Sequence, residues 1–398
     1  SEIARESSEK REGQKHLITR QYSCRCLLMA EVAACLHLLF LLLLVFPISA
    51  TSRAPPQVTA EALNQKPCNG VSAIFVFGDS TVDPGNNNYL ATPLKSNFPP
   101  YGRDFFGRLP TGRFTNGRLP TDFIASYLGL KEEVPPYLDW TLSASELQTG
   151  VSFASAGSGF DPLTAQITGV IPVLQQLDYL RHYLARLDDL VGRRGSQDLI
   201  RNAVFVVSAG TNDFVANYLT FPIRQQSFNL QDYQNFLLQN IRQFIQGLEE
   251  VGAQKIVVVG LPPMGCLPIV ITLNWKGGFH DRGCIEEYNS LSRDFNGKLQ
   301  QELQFLQSQI APNGVRIAYA DIYDPIINMI LAPSKFGFAD AMDGCCGTGL
   351  VEAAALCNLK TVVCEDASKY VFWDSIHPTE KAYFIVFDSL RGLVKRVC

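Results

Sequence analysis

Four short runs of apolar, β-branched or aromatic residues, at positions 73–77, 203–207, 255–259 and 316–320, are each long enough for a buried strand. Between them the spacing changes. Tyr233, Leu237, Ile241, Phe244, Ile245 and Leu248 recur every three or four residues, which predicts a helix with one apolar face, closed by Gly252 just before the third run. Strands alternating with helices predict an α/β fold whose parallel sheet is covered on both faces. No internal repeat or low-complexity tract interrupts this pattern.

A different apolar stretch lies near the N-terminus. Residues 38–48 are an unbroken apolar run that ends in Pro47-Ile48-Ser49-Ala50. It is shorter than the roughly 18 residues a spanning helix needs, and the small residues at its end suit a cleavage site, so a signal peptide ending near Ala50 is expected. The chain starts with Ser1, and Met29 stands where a signal sequence could begin, so residues 1–28 are expected to be an upstream extension. Pro55-Pro56 and Lys66-Pro67 mark residues 51–68 as a linker, leaving residues 69–398 for one folded domain.

Composition adds exclusions. The 398 residues are 46% hydrophobic and 18% charged, with a formal net charge of -4. No basic cluster stands out in the body of the chain, so a nucleic-acid partner is not expected. Eight cysteines follow the leader: Cys68, Cys266, Cys284, Cys345, Cys346, Cys357, Cys364 and Cys398. An even set in an exported chain predicts disulfides, and the spacings do not form the paired Cys-x-x-Cys units of a zinc site. No Asn-x-Ser/Thr sequon occurs.

Candidate chemistry sits where two of the apolar runs stop. Residues 73–77 lead into Gly78-Asp79-Ser80, and residues 203–207 into Ser208-Ala209-Gly210-Thr211-Asn212-Asp213. Ligand sites of open α/β sheets gather at the carboxyl ends of strands, so both motifs fall on one sheet edge. Near the other end, Asp374-Ser375-Ile376-His377-Pro378 places a carboxylate three residues before an imidazole, close enough for one turn to hold both. Ser80, His377 and Asp374 thus supply a nucleophile, a base and its orienter. His182, in a helical pattern, and His280, in a Gly-rich loop, have no carboxylate at that spacing. The Gly-x-Ser-x-Gly elbow of α/β-hydrolases is absent.

At this point the sequence resembles the plant GDSL esterase/lipases of the SGNH hydrolase superfamily, of the extracellular lipase type. The resemblance rests on Phe75-Val-Phe-Gly-Asp-Ser-Thr-Val-Asp-Pro-Gly-Asn-Asn-Asn88, Pro110-Thr-Gly-Arg-Phe-Thr-Asn-Gly-Arg118, Gly150-Val-Ser-Phe-Ala-Ser-Ala-Gly-Ser-Gly159, Gly210-Thr-Asn-Asp213 and Tyr370-Val-Phe-Trp-Asp-Ser-Ile-His-Pro-Thr-Glu380, in the family's order over roughly residues 70–395. Ser152 stands where the family often carries Asn.

The resemblance implies a three-layer α/β/α, flavodoxin-like domain and ester hydrolysis without metal or organic cofactor. It implies Ser80 as nucleophile, His377 as general base and Asp374 as its orienter. It also implies an oxyanion hole made of the Ser80 N–H, the Gly157 N–H and the Asn212 side-chain amide. Cys266 and Cys284 are expected to pair as in similar proteins, whereas the connectivity of Cys345, Cys346, Cys357 and Cys364 stays open. The expected partner is a small-molecule or lipid ester, met in solution or by transient contact with a lipid or cuticle surface. An acyltransferase built on the same acyl-Ser80, or a lipid-binding or coat protein keeping the fold without catalysis, are the alternative functions.

Overall fold

The computed structural model describes Cys68, residues 70–274 and residues 282–398. The upstream extension and signal peptide expected over residues 1–50, nearly all of the expected linker, and His280 lie outside the described residues.

The four apolar runs form one parallel sheet: β1 (Ile74–Gly78), β2 (Val204–Ser208), β3 (Lys255–Val259) and β4 (Arg316–Ala320), hydrogen-bonded in that order. Ile74 lies opposite Val204, Val204 opposite Lys255 and Lys255 opposite Arg316, so all four carboxyl ends finish level. Residues 150–154 run parallel to the remaining edge of β1. Val76 donates its N–H to Val151 O at 3.1 Å, and Phe153 donates back to Val76 O at 2.7 Å. In chain order the sheet therefore reads 2-1-3-4-5. The chain leaves β1 in one direction and later returns to its other side, which makes the end of β1 the topological switch point.

Side chains on the strands alternate between two cores. Phe75, Phe77, Phe205, Val207, Ile256 and Val258 pack against α2 (Val173–Asn202), α3 (Leu230–Glu250) and α4 (Glu286–Ile310). Ile74, Val76, Val204, Val206 and Val257 face α1 (Pro120–Tyr127) and α6 (Glu380–Val397), and α5 (Tyr323–Leu331) packs beside α6. This is the expected three-layer arrangement. Six apolar residues of the α3 pattern are all buried, and Gly252, at φ +96°, turns the chain into β3. Stacked rings anchor the catalytic end of β1: Phe77 lies 5.1 Å from Phe153 and meets Phe244 edge-on at 5.4 Å. Truncating such a buried ring costs about 3–5 kcal/mol.

One strand differs from expectation. Only Ala320 of β4 is fully buried, and Arg316 is exposed, because β4 is the sheet's outer strand and lacks a neighbour on one side. The chain after it forms a small parallel pair, β5 (Asp340–Gly344) and β6 (Tyr370–Phe372).

All eight cysteines after the leader are paired: Cys68–Cys398, Cys266–Cys284, Cys345–Cys364 and Cys346–Cys357. The last two resolve the open connectivity. They brace the segment that docks on β6, where Cys345 N–H donates to Phe372 O at 3.0 Å and Cys346 N–H to Trp373 O at 2.8 Å. That docking fixes the backbone one residue before Asp374.

Candidate active site

Ser80 follows the switch point. Gly78 precedes it at φ +139°, and a Cβ there would lie 1.8 Å from Ser208 O, so only glycine lets β1 and β2 stay paired through this turn. At this last residue of β1, Gly78 O accepts the Ser155 N–H at 3.0 Å, and Gln176 of α2 completes the pairing. The Gly78 N–H donates to Gln176 Oε1 at 2.8 Å, and Gln176 Nε2 donates to Gly78 O at 2.9 Å. One side-chain amide thus imitates a neighbouring strand and holds the turn that presents Ser80.

Asp374 and His377 share the turn between β6 and α6. Asp374 Oδ1 accepts the N–H groups of Ile376 (2.9 Å) and His377 (2.7 Å), and Oδ2 accepts the Tyr101 hydroxyl at 2.7 Å. Its two oxygens lie 2.9 and 2.8 Å from His377 Nδ1. A carboxylate serving three donors accepts from the ring as well, so Nδ1 carries its hydrogen and Nε2 is left as the acceptor. Nε2 is 2.8 Å from Ser80 Oγ, 297 residues away in sequence. Asp374 is fully buried, His377 is 4% exposed, and the imidazole packs on Phe114 with ring centres 4.9 Å apart. Burial also pushes the Asp79 carboxyl up to about 6, only partly offset by its hydrogen bonds from Thr81.

The three sequence-derived amide donors border the same opening. Ser80, Gly157, Asn212 and His377 line one cleft, with room for about 210 Å³. Among the described residues, neither the Ser80 N–H nor the Gly157 N–H has an acceptor in the protein. Gly157 sits at φ +86°, and a Cβ there would meet Leu94 at 2.3 Å. Asn212 Nδ2 spends one hydrogen on Ser158 O at 2.9 Å, and the amide has a second to give.

Two residues that sequence reasoning left without a role hold the Gly157 peptide. Asp83 Oδ2 accepts the Ala156 N–H at 3.0 Å, and Asn87 Nδ2 donates to Ala156 O at 2.9 Å. In a planar trans peptide the C=O and the following N–H point in opposite directions, so fixing Ala156 O on Asn87 aims the Gly157 N–H the other way. Asp213 performs a similar service. It is buried and accepts the N–H groups of Phe160 (2.9 Å) and Asp161 (3.1 Å) and the Thr164 hydroxyl (2.6 Å), tying the loop after Gly157 to the π-helical turn Asp213–Thr220 that begins beside Asn212. Burial drives its carboxyl to about 7.

The cluster Asp83-Pro84-Gly85-Asn86-Asn87-Asn88 carried a signal, since polar turn formers directly after a buried strand mark a site edge. Tyr101 and Gln176 carried none. Ser152 replaces the family's Asn without leaving a gap: its Oγ donates to Val82 O at 3.0 Å and accepts from Ala154 N at 3.2 Å. His182 lies on α2 beside Tyr179, away from the triad.

Comparison with known proteins places the chain in a family. The profile of the GDSL-like lipase/acylhydrolase family matches residues 74–390. The chain belongs to that family of carboxylic ester hydrolases. Among its curated relatives, GDSL esterase/lipase At5g45960 of Arabidopsis thaliana is 55% identical over 325 residues, covering 82% of this chain and 87% of the relative. GDSL esterase/lipases At1g06990 and At2g40250 of the same plant are 47% and 45% identical, covering 80% and 81% of this chain and 88% and 90% of the relatives.

Proposed function

We propose that this GDSL family member is a secreted serine esterase/lipase that cleaves carboxylic esters through an acyl-Ser80 intermediate. The observation that carries the reading is the continuous line from Ser80 Oγ through both nitrogens of His377 to Asp374, with 2.8 Å contacts on either side of the ring. Ser80 Oγ attacks the ester carbonyl as its proton passes to His377 Nε2. The carbonyl oxygen becomes an oxyanion facing the Ser80 and Gly157 N–H groups and the Asn212 amide. Collapse of the intermediate breaks the ester C–O bond, and the departing alkoxide takes the proton from Nε2. Water then repeats the sequence, giving the carboxylic acid and free Ser80. Asp374 stays ionised throughout and stabilises the imidazolium.

Four disulfides support an oxidising compartment, and among the described residues no helix is long and apolar enough to cross a membrane. These features favour secretion.

A serine-reactive phosphonate tests the reading. Mass spectrometry should find one adduct, on Ser80, lost in Ser80→Ala; an unlabelled Ser80 would make the chain a lipid-binding protein instead. Because the triad acts as a unit, Ser80→Ala, His377→Ala and the double variant should each lower kcat by a similar factor, on the order of 10⁴. Multiplying losses would contradict the assignment. Product analysis with an alcohol competing against water separates a hydrolase from an acyltransferase.

A further inference from the structure

A second cavity meets the first at Ser80. Ser80, Asn212 and Ile376 border both, as a shared wall. The second runs from the carboxyl ends of β1, β2 and β3 into the layer between the sheet and α1, α5 and α6, past Ile124, Leu267 and Ile326. Its lining is overwhelmingly apolar. Among its polar members, Asp79, Thr81 and Ser208 form one hydrogen-bonded group beside the nucleophile: Thr81 Oγ1 bonds both Asp79 (2.8 Å) and Ser208 (3.0 Å).

One residue decides the use of each cavity. His377 lines the open cleft and not the apolar cavity. The departing alcohol oxygen must take its proton from His377 Nε2, and the incoming water must give one to it, so both belong in the cleft. The acyl chain is the ester's other substituent. We propose, resting on the esterase reading above, that the apolar cavity is the acyl-chain site and that it takes an alkyl chain of about eight carbons, the size being set by its length.

Tyr383, Val386 and Leu390 line one side of the cavity at spacings of three and four residues along α6. Seven residues at about 1.5 Å rise give about 10 Å from Tyr383 to Leu390. An extended alkyl chain advances roughly 1.3 Å per carbon, given C–C bonds of about 1.5 Å, so about eight carbons span it.

The test is a series of p-nitrophenyl esters with acyl chains from acetyl to palmitoyl, read as kcat/KM relative to the acetyl ester. Each methylene buried is worth about a factor of four, so the ratio should climb steeply and level off near octanoyl. Val386→Phe fills the middle of the cavity and should lower the octanoyl-to-acetyl ratio by at least about tenfold, the equivalent of losing two methylenes. Leu390→Ala, at the far end, should move the optimum to longer chains. Damage to the fold or the triad lowers every ester together and leaves the ratio in place. A ratio unchanged within about twofold in both variants overturns the proposal. Calorimetric titration with octanoate reads the cavity without turnover. Binding to the wild type that Val386→Phe abolishes supports the site even if no ester is cleaved, in which case the esterase reading alone fails; no binding to the wild type sinks the acyl-chain site.

Discussion

Gln176→Glu tests how the nucleophile turn is held, because it changes one NH₂ to oxygen and nothing else. Gln176 is fully buried; its Oε1 accepts from Gly78, and its Nε2 donates to Gly78 O and, at 3.5 Å, to Ile171 O. A carboxylate at that position still accepts the Gly78 N–H, but its second oxygen faces Gly78 O with no hydrogen to donate. Gly78 O keeps the Ser155 N–H at 3.0 Å, so the main penalty falls on the charge. An uncompensated buried carboxyl has its pKa raised by up to about 3–5 units, each worth about 1.4 kcal/mol. With one hydrogen bond retained, a loss of about 3 kcal/mol at pH 7 is expected. The protonated acid restores both bonds, its C=O accepting from Gly78 N and its O–H donating to Gly78 O. The folded pKa of the new group therefore exceeds its unfolded value. The penalty is greatest above the folded pKa and shrinks as pH falls towards about 4. Gln176→Leu, which leaves the Gly78 N–H without a partner, should lose about 1–3 kcal/mol with no such pH dependence. Urea unfolding with the disulfides intact, at pH 7 and pH 5, measures both variants. If Gln176→Glu is as destabilised at pH 5 as at pH 7, or loses under about 0.5 kcal/mol at both, Gln176 is not the partner that closes the turn.

Asn212→Ala should lower kcat by about 10² to 10³ with little change in KM, since the bond to the oxyanion strengthens in the transition state. Asn212→Asp should be at least as harmful, because a carboxylate repels the oxyanion and loses the donor to Ser158 O; near-normal kcat in that variant would reduce Asn212 to a turn residue. Asp79 governs a pH effect on stability. Its folded pKa of about 6 exceeds the ordinary 3.8, so its contribution is full below pH 3.8 and is lost as pH rises through 6. A rise of about two units corresponds to about 3 kcal/mol. Asp79→Asn keeps an oxygen for Thr81 and cannot ionise, so its stability relative to wild type should improve from pH 4 to pH 7 in chemical denaturation. A relative loss over that range would mean that the Asp79 carboxylate is stabilised in the fold by more than burial costs it.

The sequence by itself determined the strands, the layers and the reacting groups. The runs that became β1, β2 and, after Lys255, β3 are apolar because both faces of a central strand are buried, and that demand is visible residue by residue. The α3 stripe is equally local, since a helix returns to one face every 3.6 residues. Asp374 and His377 were legible as a pair because one turn spans three residues. Tertiary structure decided the rest. Ser80 meets His377 only because the turn after β6, braced by two disulfides, is carried back to the end of β1, 297 residues earlier in the chain. Tyr101 on Asp374, Gln176 on Gly78, and Asp83 and Asn87 on Ala156 serve positions 273, 98, 73 and 69 residues away, and no periodicity records such a distance. β4 shows the same limit from the other side. Its residues suit a strand, but whether a strand is central or outer depends on which neighbours the rest of the chain provides, and hydrogen bonding between distant segments settles that only after folding.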